Sequence, residues 1–139
     1  RKTLICWANN LHMRAETSDD VNEKGKYYSK ALELYKSCLV ISKKLYNKKS
    51  RECAAVYDNM GLMYANIGEF EYAYTNAALG RKIYRVLSGN DTMSMAKCYT
   101  NLGEISFLEG KLEEALEAHE HAKRIKDKIK IRSFRMLDG

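Results

Sequence analysis

Apolar residues recur every three or four positions along most of the chain, and short glycine-containing turns interrupt this pattern. Between residues 51 and 66 the spacing predicts an amphipathic helix, and a second such segment runs from about Phe70 to Leu87. The intervening Ile67-Gly68-Glu69 predicts a tight turn, because glycine readily takes the left-handed conformation that ends helices. The chain has no proline and no strand-like alternation of useful length, so we expect an all-α protein.

The pattern of residues 54–83 returns 42 positions later. Eight positions are identical, among them Gly61/Gly103 and Gly68/Gly110, where chance would give roughly two. The repetition predicts a further helix pair, from about Thr92 to Leu108 and from about Leu112 to Ile129, with Ser50 and Asp91 or Thr92 as helix caps. An earlier copy has CWANNLHMRAE as its first helix, at an offset of 49. About seven additional residues fall in ETSDDVNEKGK, for which we expect an extended loop.

Small residues occupy matching places in the copies. A glycine inside a helix costs roughly 1 kcal/mol against alanine, so Gly61 and Gly103 need a packing reason. Small residues seven apart also share one face of each second helix. They are Ala31/Cys38, Ala73/Gly80 and Ala115/Ala122. We therefore expect paired helices that approach closely at these positions.

The net charge of +6 is concentrated near the end of the sequence. Residues 121–139 hold seven basic residues against two acidic ones, whereas the rest of the chain is nearly balanced. Such a run is typical of a solvated helix end, and a patch for an anionic partner is the alternative. The basic residues are Lys123, Arg124, Lys126, Lys128, Lys130, Arg132 and Arg135.

Neither a membrane span nor a chemical site is predicted. No apolar run approaches the ~20 residues that a spanning helix needs. His119 and His121 are two apart and point to different helix faces, so no metal site is expected. No cysteine pair has metal-clip spacing, and reduced, buried thiols are the favoured interpretation of Cys6, Cys38, Cys53 and Cys98. There is no phosphate-binding loop or nucleophile motif, so we expect neither a cofactor nor catalysis.

The ten tyrosines are interpreted mainly as packing residues rather than as base-stacking platforms. Tyr72, Tyr74 and Tyr84 have no counterpart in the next copy, and for them we expect exposure on the outer side.

The pattern Asn59-Met60-Gly61-x-x-Tyr64-x-x-x-Gly68-x-Phe70-x-x-Ala73 resembles the tetratricopeptide repeat. The usual period of that family is about 34 residues. The period of 42 and the link LSGNDTMSMA resemble the kinesin light chain type of repeat. The resemblance implies an α-solenoid of about three repeats, near 3–47, 50–88 and 92–130, with 131–139 as the start of a further helix or a linker.

In this family the first helices line a concave groove that binds peptides or helices of partner proteins. The family's groove asparagine, which bonds the backbone of a bound peptide, corresponds to Asn59 and Asn101 and also to Asn10. The alternative is that these amides bond the neighbouring helix and stabilise the stack. Carried over, the groove residues are Asn10, Met13, Asp58, Asn59, Leu62, Asn66, Lys97, Thr100, Asn101, Glu104 and Leu108.

The resemblance implies a non-catalytic, cytoplasmic protein-interaction module, and we interpret the chain as a fragment of a longer protein. One alternative is a scaffold component of a cytoskeletal or ciliary assembly that packs through its edges and convex face. A regulatory protein like the bacterial peptide sensors is another. RNA binding through the basic stretch is the third, although no nucleic-acid or membrane partner is expected.

Overall fold

A computed structural model describes residues 2–45 and 49–138, and it describes side chains from 7 to 45 and from 49 to 137. The side chain of Cys6 and residues 46–47 of the expected first repeat lie outside these ranges. Helices, and no strand, form the regular structure of the described residues. They are α1 (Lys2–Thr17), α2 (Val21–Leu45), α3 (Arg51–Asn66), α4 (Phe70–Ser88), α5 (Met93–Glu109) and α6 (Leu112–Asp138).

The helices form three consecutive pairs that stack on one another. Each odd-numbered helix packs most extensively on the helix that follows it, and successive pairs meet where α2 contacts α3, α4 contacts α5 and α3 contacts α5. The predicted all-α solenoid is therefore confirmed. Its core lies between the pairs, where the largest fully buried side chains include Tyr35, Met63, Met95 and Ile105.

Equivalent residues begin and end the first helices of the second and third pairs. The hydroxyl of Ser50 accepts a hydrogen bond from the Cys53 amide at 3.2 Å, and the hydroxyl of Thr92 accepts one from the Met95 amide at 3.2 Å. Such caps satisfy amide groups that have no partner within the helix. Gly68 and Gly110 end the first helices with φ of +84° and +90°. The caps and turns are thus set by the sequence at one 42-residue period.

The expected packing reason is confirmed for Gly61 and Gly80. A methyl group added to Gly61 would lie 3.1 Å from the carbonyl oxygen of Ala73. One added to Gly80 would lie 2.9 Å from the carbonyl oxygen of Ala54. Since both obstacles are backbone atoms, α3 and α4 can approach this closely only because neither position carries a side chain.

The extended loop expected near residues 16–26 is absent, and this expectation was wrong. Only residues 18–20 separate α1 from α2, which begins at Val21. The side chain of Asp20 accepts a hydrogen bond from the Asn22 amide at 2.9 Å, and Glu23 lies in the first turn, where a negative charge is favourable. The seven additional residues therefore lengthen α2 by about two turns, which preserves the faces that its later residues present.

Two further differences concern α6 and the tyrosines. Helix α6 does not end near Ile129 but continues to Asp138. Tyr72 is exposed as expected, whereas Tyr74 and Tyr84 are only partly exposed and pack against the buried clusters between pairs. Tyr74 and Tyr84 therefore pack between successive helix pairs and are not part of an outer surface.

Candidate functional site

The predicted groove residues lie mostly on the side of the first helices that faces away from their partners. Gly61 lies against α4. Asn59 and Asn66 are close to half a turn away from Gly61 around the axis of α3, so they face the opposite side. We call the side of α1, α3 and α5 that carries Asn10, Asn59, Asn66 and their neighbours the first-helix face.

The predicted groove residues differ widely in their accessibility. Five are exposed, namely Asn10, Met13, Lys97, Glu104 and Leu108. Four are partly buried, namely Asn59, Leu62, Asn66 and Thr100. Asp58 and Asn101 are buried, with 2% and 7% of their surfaces accessible. The accessible part of the predicted site therefore excludes one of its two principal asparagines.

Asp58 and Asn101 bond directly to each other across the boundary between repeats. The Nδ2 group of Asn101 on α5 donates a hydrogen bond of 2.6 Å to Oδ2 of Asp58 on α3. The other carboxylate oxygen of Asp58 is buried and has no hydrogen-bond partner. For Asn101, the structure shows the contact expected from the alternative in which the amide stabilises the stack.

Burial shapes the electrostatics around this pair. It raises the pKa of Asp58 to about 6, although Lys97, Asn101 and Arg81 act in the opposite direction. Burial and the neighbouring Asp58 carboxylate raise the pKa of the Cys98 thiol to about 12. Both shifts disfavour negative charge at this boundary. The cluster is therefore a poor place for an accessible anionic or nucleophilic group.

Asn59 and Asn66 keep more of their hydrogen-bonding capacity. Asn66 Nδ2 lies 3.4 Å from Nε2 of His12 on α1, and that histidine ring nitrogen is also 3.1 Å from the carboxylate of Glu16. Asn59 is half-buried, so part of its surface remains accessible. An amide in this state can still offer two donors and one acceptor to a bound peptide unit.

The basic stretch forms the exposed end of α6. Lys128 lies 3.6 Å from the Asp91 carboxylate, and Arg132 donates a hydrogen bond of 3.0 Å to the Asp91 carbonyl oxygen. These contacts join the helix to the preceding α4–α5 connection. They favour the interpretation of this stretch as a solvated helix end.

Clefts between the helices of one pair were not anticipated from the sequence. One cleft, of about 620 Å³, opens between α1 and α2 and includes Trp7, Leu11, Arg14 and Leu34 in its wall. Trp7 is 63% exposed there. The signal available in the sequence was this tryptophan on the first predicted helix, whose exposure the helical period alone does not decide.

No group of three or more potential metal ligands comes together within the described ranges. His121 instead stacks on Tyr99, with ring centroids 4.0 Å apart, and burial lowers the pKa of its imidazole. The described helices also include none that is both long and apolar enough to cross a membrane. The described Cys38, Cys53 and Cys98 are buried and form no disulfide.

A family model described as "Tetratricopeptide repeat" matches residues 95–126, within the third helix pair. Residues 95–126 are therefore similar to a tetratricopeptide repeat. Among solved structures, the crystal structure of BtubC (BKLC) from P. vanneervenii resembles this chain with a TM-score of 0.68 at 22% identity. The similarity covers 87% of this chain and 46% of that chain, and at this identity it shows the fold. No curated protein matches this chain.

Proposed function

We propose that this protein binds an extended segment or a helix of a partner protein along its first-helix face, without catalysing a reaction. Tetratricopeptide repeats generally mediate protein–protein interactions. The observation that carries the proposal is the pair Asn59 and Asn66, seven residues apart on one face of α3, partly exposed, with the apolar Leu62 between them. Amides flanking an apolar residue suit a peptide, which presents backbone groups and side chains alternately.

The flanking helices extend this surface in both directions. Asn10 and Met13 are exposed on α1, and Lys97, Glu104 and Leu108 are exposed on α5. Their chemistry favours a partner segment with apolar side chains and charges of both signs. We propose that a row of asparagine amides bonds the backbone of the bound segment, and that this row consists of Asn10, Asn59 and Asn66. Asn101 is not part of it, because its side chain already donates to Asp58.

The experiment selects binding peptides from a displayed random library with the wild-type chain and then compares two double variants. Asn59→Ala with Asn66→Ala removes the two central amides. Asn22→Ala with Asn76→Ala is the matched control, because both asparagines lie on the second helices α2 and α4. Thermal melts of both variants measure any loss of folding.

We expect the selected peptides to bind the first variant at least about tenfold more weakly, since losing two hydrogen bonds costs on the order of 1 kcal/mol each. The control should bind them like the wild type. Equal binding to both variants, or failure to select any peptide that depends on the fold, would show that this face is not the binding surface.

A further inference from the structure

The open cleft between α1 and α2 has a structural counterpart in the third repeat. Its α2 wall is formed by Lys30, Glu33, Leu34 and Ser37, with Leu11 opposite on α1. A second cleft of about 310 Å³ lies between α5 and α6. Four residues of its α6 wall lie 84 positions after their counterparts on α2, as Glu114 does after Lys30; they are Glu114, Glu117, Ala118 and His121. Leu102 on α5 lies 91 positions after Leu11 on α1. The two clefts therefore lie at equivalent positions in the first and third repeats.

The cleft of the third repeat is covered by the preceding pair. Tyr74 on α4 lines it and donates a hydrogen bond of 3.4 Å to the hydroxyl of Ser106. Leu32, 42 positions before Tyr74, packs against the buried cluster that contains the α3 residues Met60 and Met63. One position of each second helix thus packs against the next pair. In α6 that position is Leu116, which is 61% exposed.

The two ends also carry opposite charges at matching places. Between the second and third pairs, Ile105 on α5 belongs to an apolar cluster with Leu62 on α3. The residue equivalent to Ile105 in α1 is Arg14, 91 positions earlier, and the residue equivalent to Leu62 in α5 is Glu104, 42 positions later. Both are exposed. An apolar contact inside the stack is therefore replaced by a cation at one end and an anion at the other.

We propose that copies of this chain associate head to tail, so that the α5–α6 end of one copy occupies the α1–α2 cleft of the next. Leu116 enters the cleft as Tyr74 does within the chain, and Glu104 pairs with Arg14. Phe107 and Leu112, both 62% exposed, take the places of Ala65 and Phe70 and add apolar contact. Such an interface joins two different surfaces, so association does not stop at two copies and produces open chains or larger rings.

This proposal shares Glu104 with the first-helix face, but it does not rest on peptide binding there. The experiment measures the mass of the wild-type chain by sedimentation from micromolar to near-millimolar concentration. It compares Arg14→Glu, Glu104→Arg, the double exchange, and an equimolar mixture of the two single variants. Glu71→Arg, an exposed change on α4, is the matched control for a charge reversal elsewhere. Circular dichroism verifies that each variant keeps its helices.

We expect the wild-type mass to rise with concentration without a plateau at two copies. Each single reversal should weaken association at least about tenfold, because like charges then face each other. The double exchange and the mixture should restore association, and Glu71→Arg should leave it unchanged. A wild-type chain that stays monomeric, a mass that stops at two copies, or single reversals without effect would overturn the proposal.

Discussion

Asn101 on α5 holds the carboxylate of Asp58 on α3 through a hydrogen bond of 2.6 Å at the boundary between the second and third repeats. Only one of the two carboxylate oxygens has a partner, and the residue is 2% exposed. A buried carboxylate with incomplete hydrogen bonding is costly to ionise. The pair therefore fixes how two repeats meet, and the ionisation of Asp58 opposes the stability that this contact provides.

Asp58→Asn should stabilise the protein at neutral and alkaline pH. The folded-state pKa of Asp58 is raised to about 6, against an ordinary value of 3.8. Its contribution is therefore fully present below about pH 4 and is lost as the pH rises through about 6, at about 1.4 kcal/mol per pKa unit. We expect the variant to exceed the wild type by up to about 3 kcal/mol at high pH and to match it at low pH.

Urea unfolding of both chains across this pH range measures the difference. The exposed Asp19 provides the control, since Asp19→Asn reports the general effect of replacing a carboxylate by an amide away from this boundary. If the difference between Asp58→Asn and the wild type did not change with pH, burial would not be raising the pKa of the Asp58 carboxyl.

Asn101→Ala and Asn59→Ala should differ in their effect on stability, although the two residues occupy equivalent positions in their repeats. Removing the Asn101 amide deprives the buried Asp58 carboxylate of its amide donor, at a cost of about 1–3 kcal/mol in the free energy of unfolding. Asn59 is partly exposed, so its replacement should change that free energy by about 0.5 kcal/mol or less. Denaturant titrations of both variants at one pH decide this, and equal losses would contradict the assigned role of Asn101.

Much of the fold could be read from the sequence because its signals are local. Helix caps, turn glycines and small interhelical residues each act within a few positions, as Thr92, Gly110 and Gly61 illustrate. The prediction of a loop near residues 16–26 was wrong for a related reason. Charged and turn-forming residues there include Asp20 and Glu23, which also favour the start of a helix.

The candidate site was harder to predict because accessibility depends on the neighbouring repeat. Asn59 and Asn101 are equivalent in sequence, yet only Asn101 lies next to an aspartate of the preceding repeat. At the position equivalent to Asp58 in the first repeat stands Asn9, which accepts a hydrogen bond from the hydroxyl of Tyr35 instead. Such pairings depend on residues some 26 to 43 positions apart, which one repeat motif does not specify.

Gly80→Ala should destabilise the α3–α4 pair, even though alanine favours helices. The added methyl would lie 2.9 Å from the Ala54 carbonyl oxygen and 3.2 Å from the Asp58 amide nitrogen, so the helices must separate. Overpacking of this kind costs about 1–3 kcal/mol. Gly25→Ala on α2 is the control, because its methyl meets nothing within 4 Å and should stabilise by about 0.5–1 kcal/mol. Opposite shifts in melting temperature are expected, and stabilisation by both changes would exclude a close contact at Gly80.

The Cys98 thiol should be nearly inert toward alkylation in the folded protein and should respond to a change at Asp58. Its pKa is raised to about 12 against an ordinary 9, which reduces the reactive thiolate about a thousandfold at mildly alkaline pH. Burial is the larger cause and the Asp58 carboxylate the second. Asp58→Asn should therefore speed labelling of Cys98 several-fold, although the same change stabilises the fold.

Peptide mapping by mass spectrometry after timed alkylation measures this rate. Cys38 in the same samples is the control, because it is a buried thiol whose pKa is not raised by Asp58. If Cys98 were labelled more slowly in the variant, in step with Cys38, opening of the fold rather than the neighbouring charge would control its reactivity.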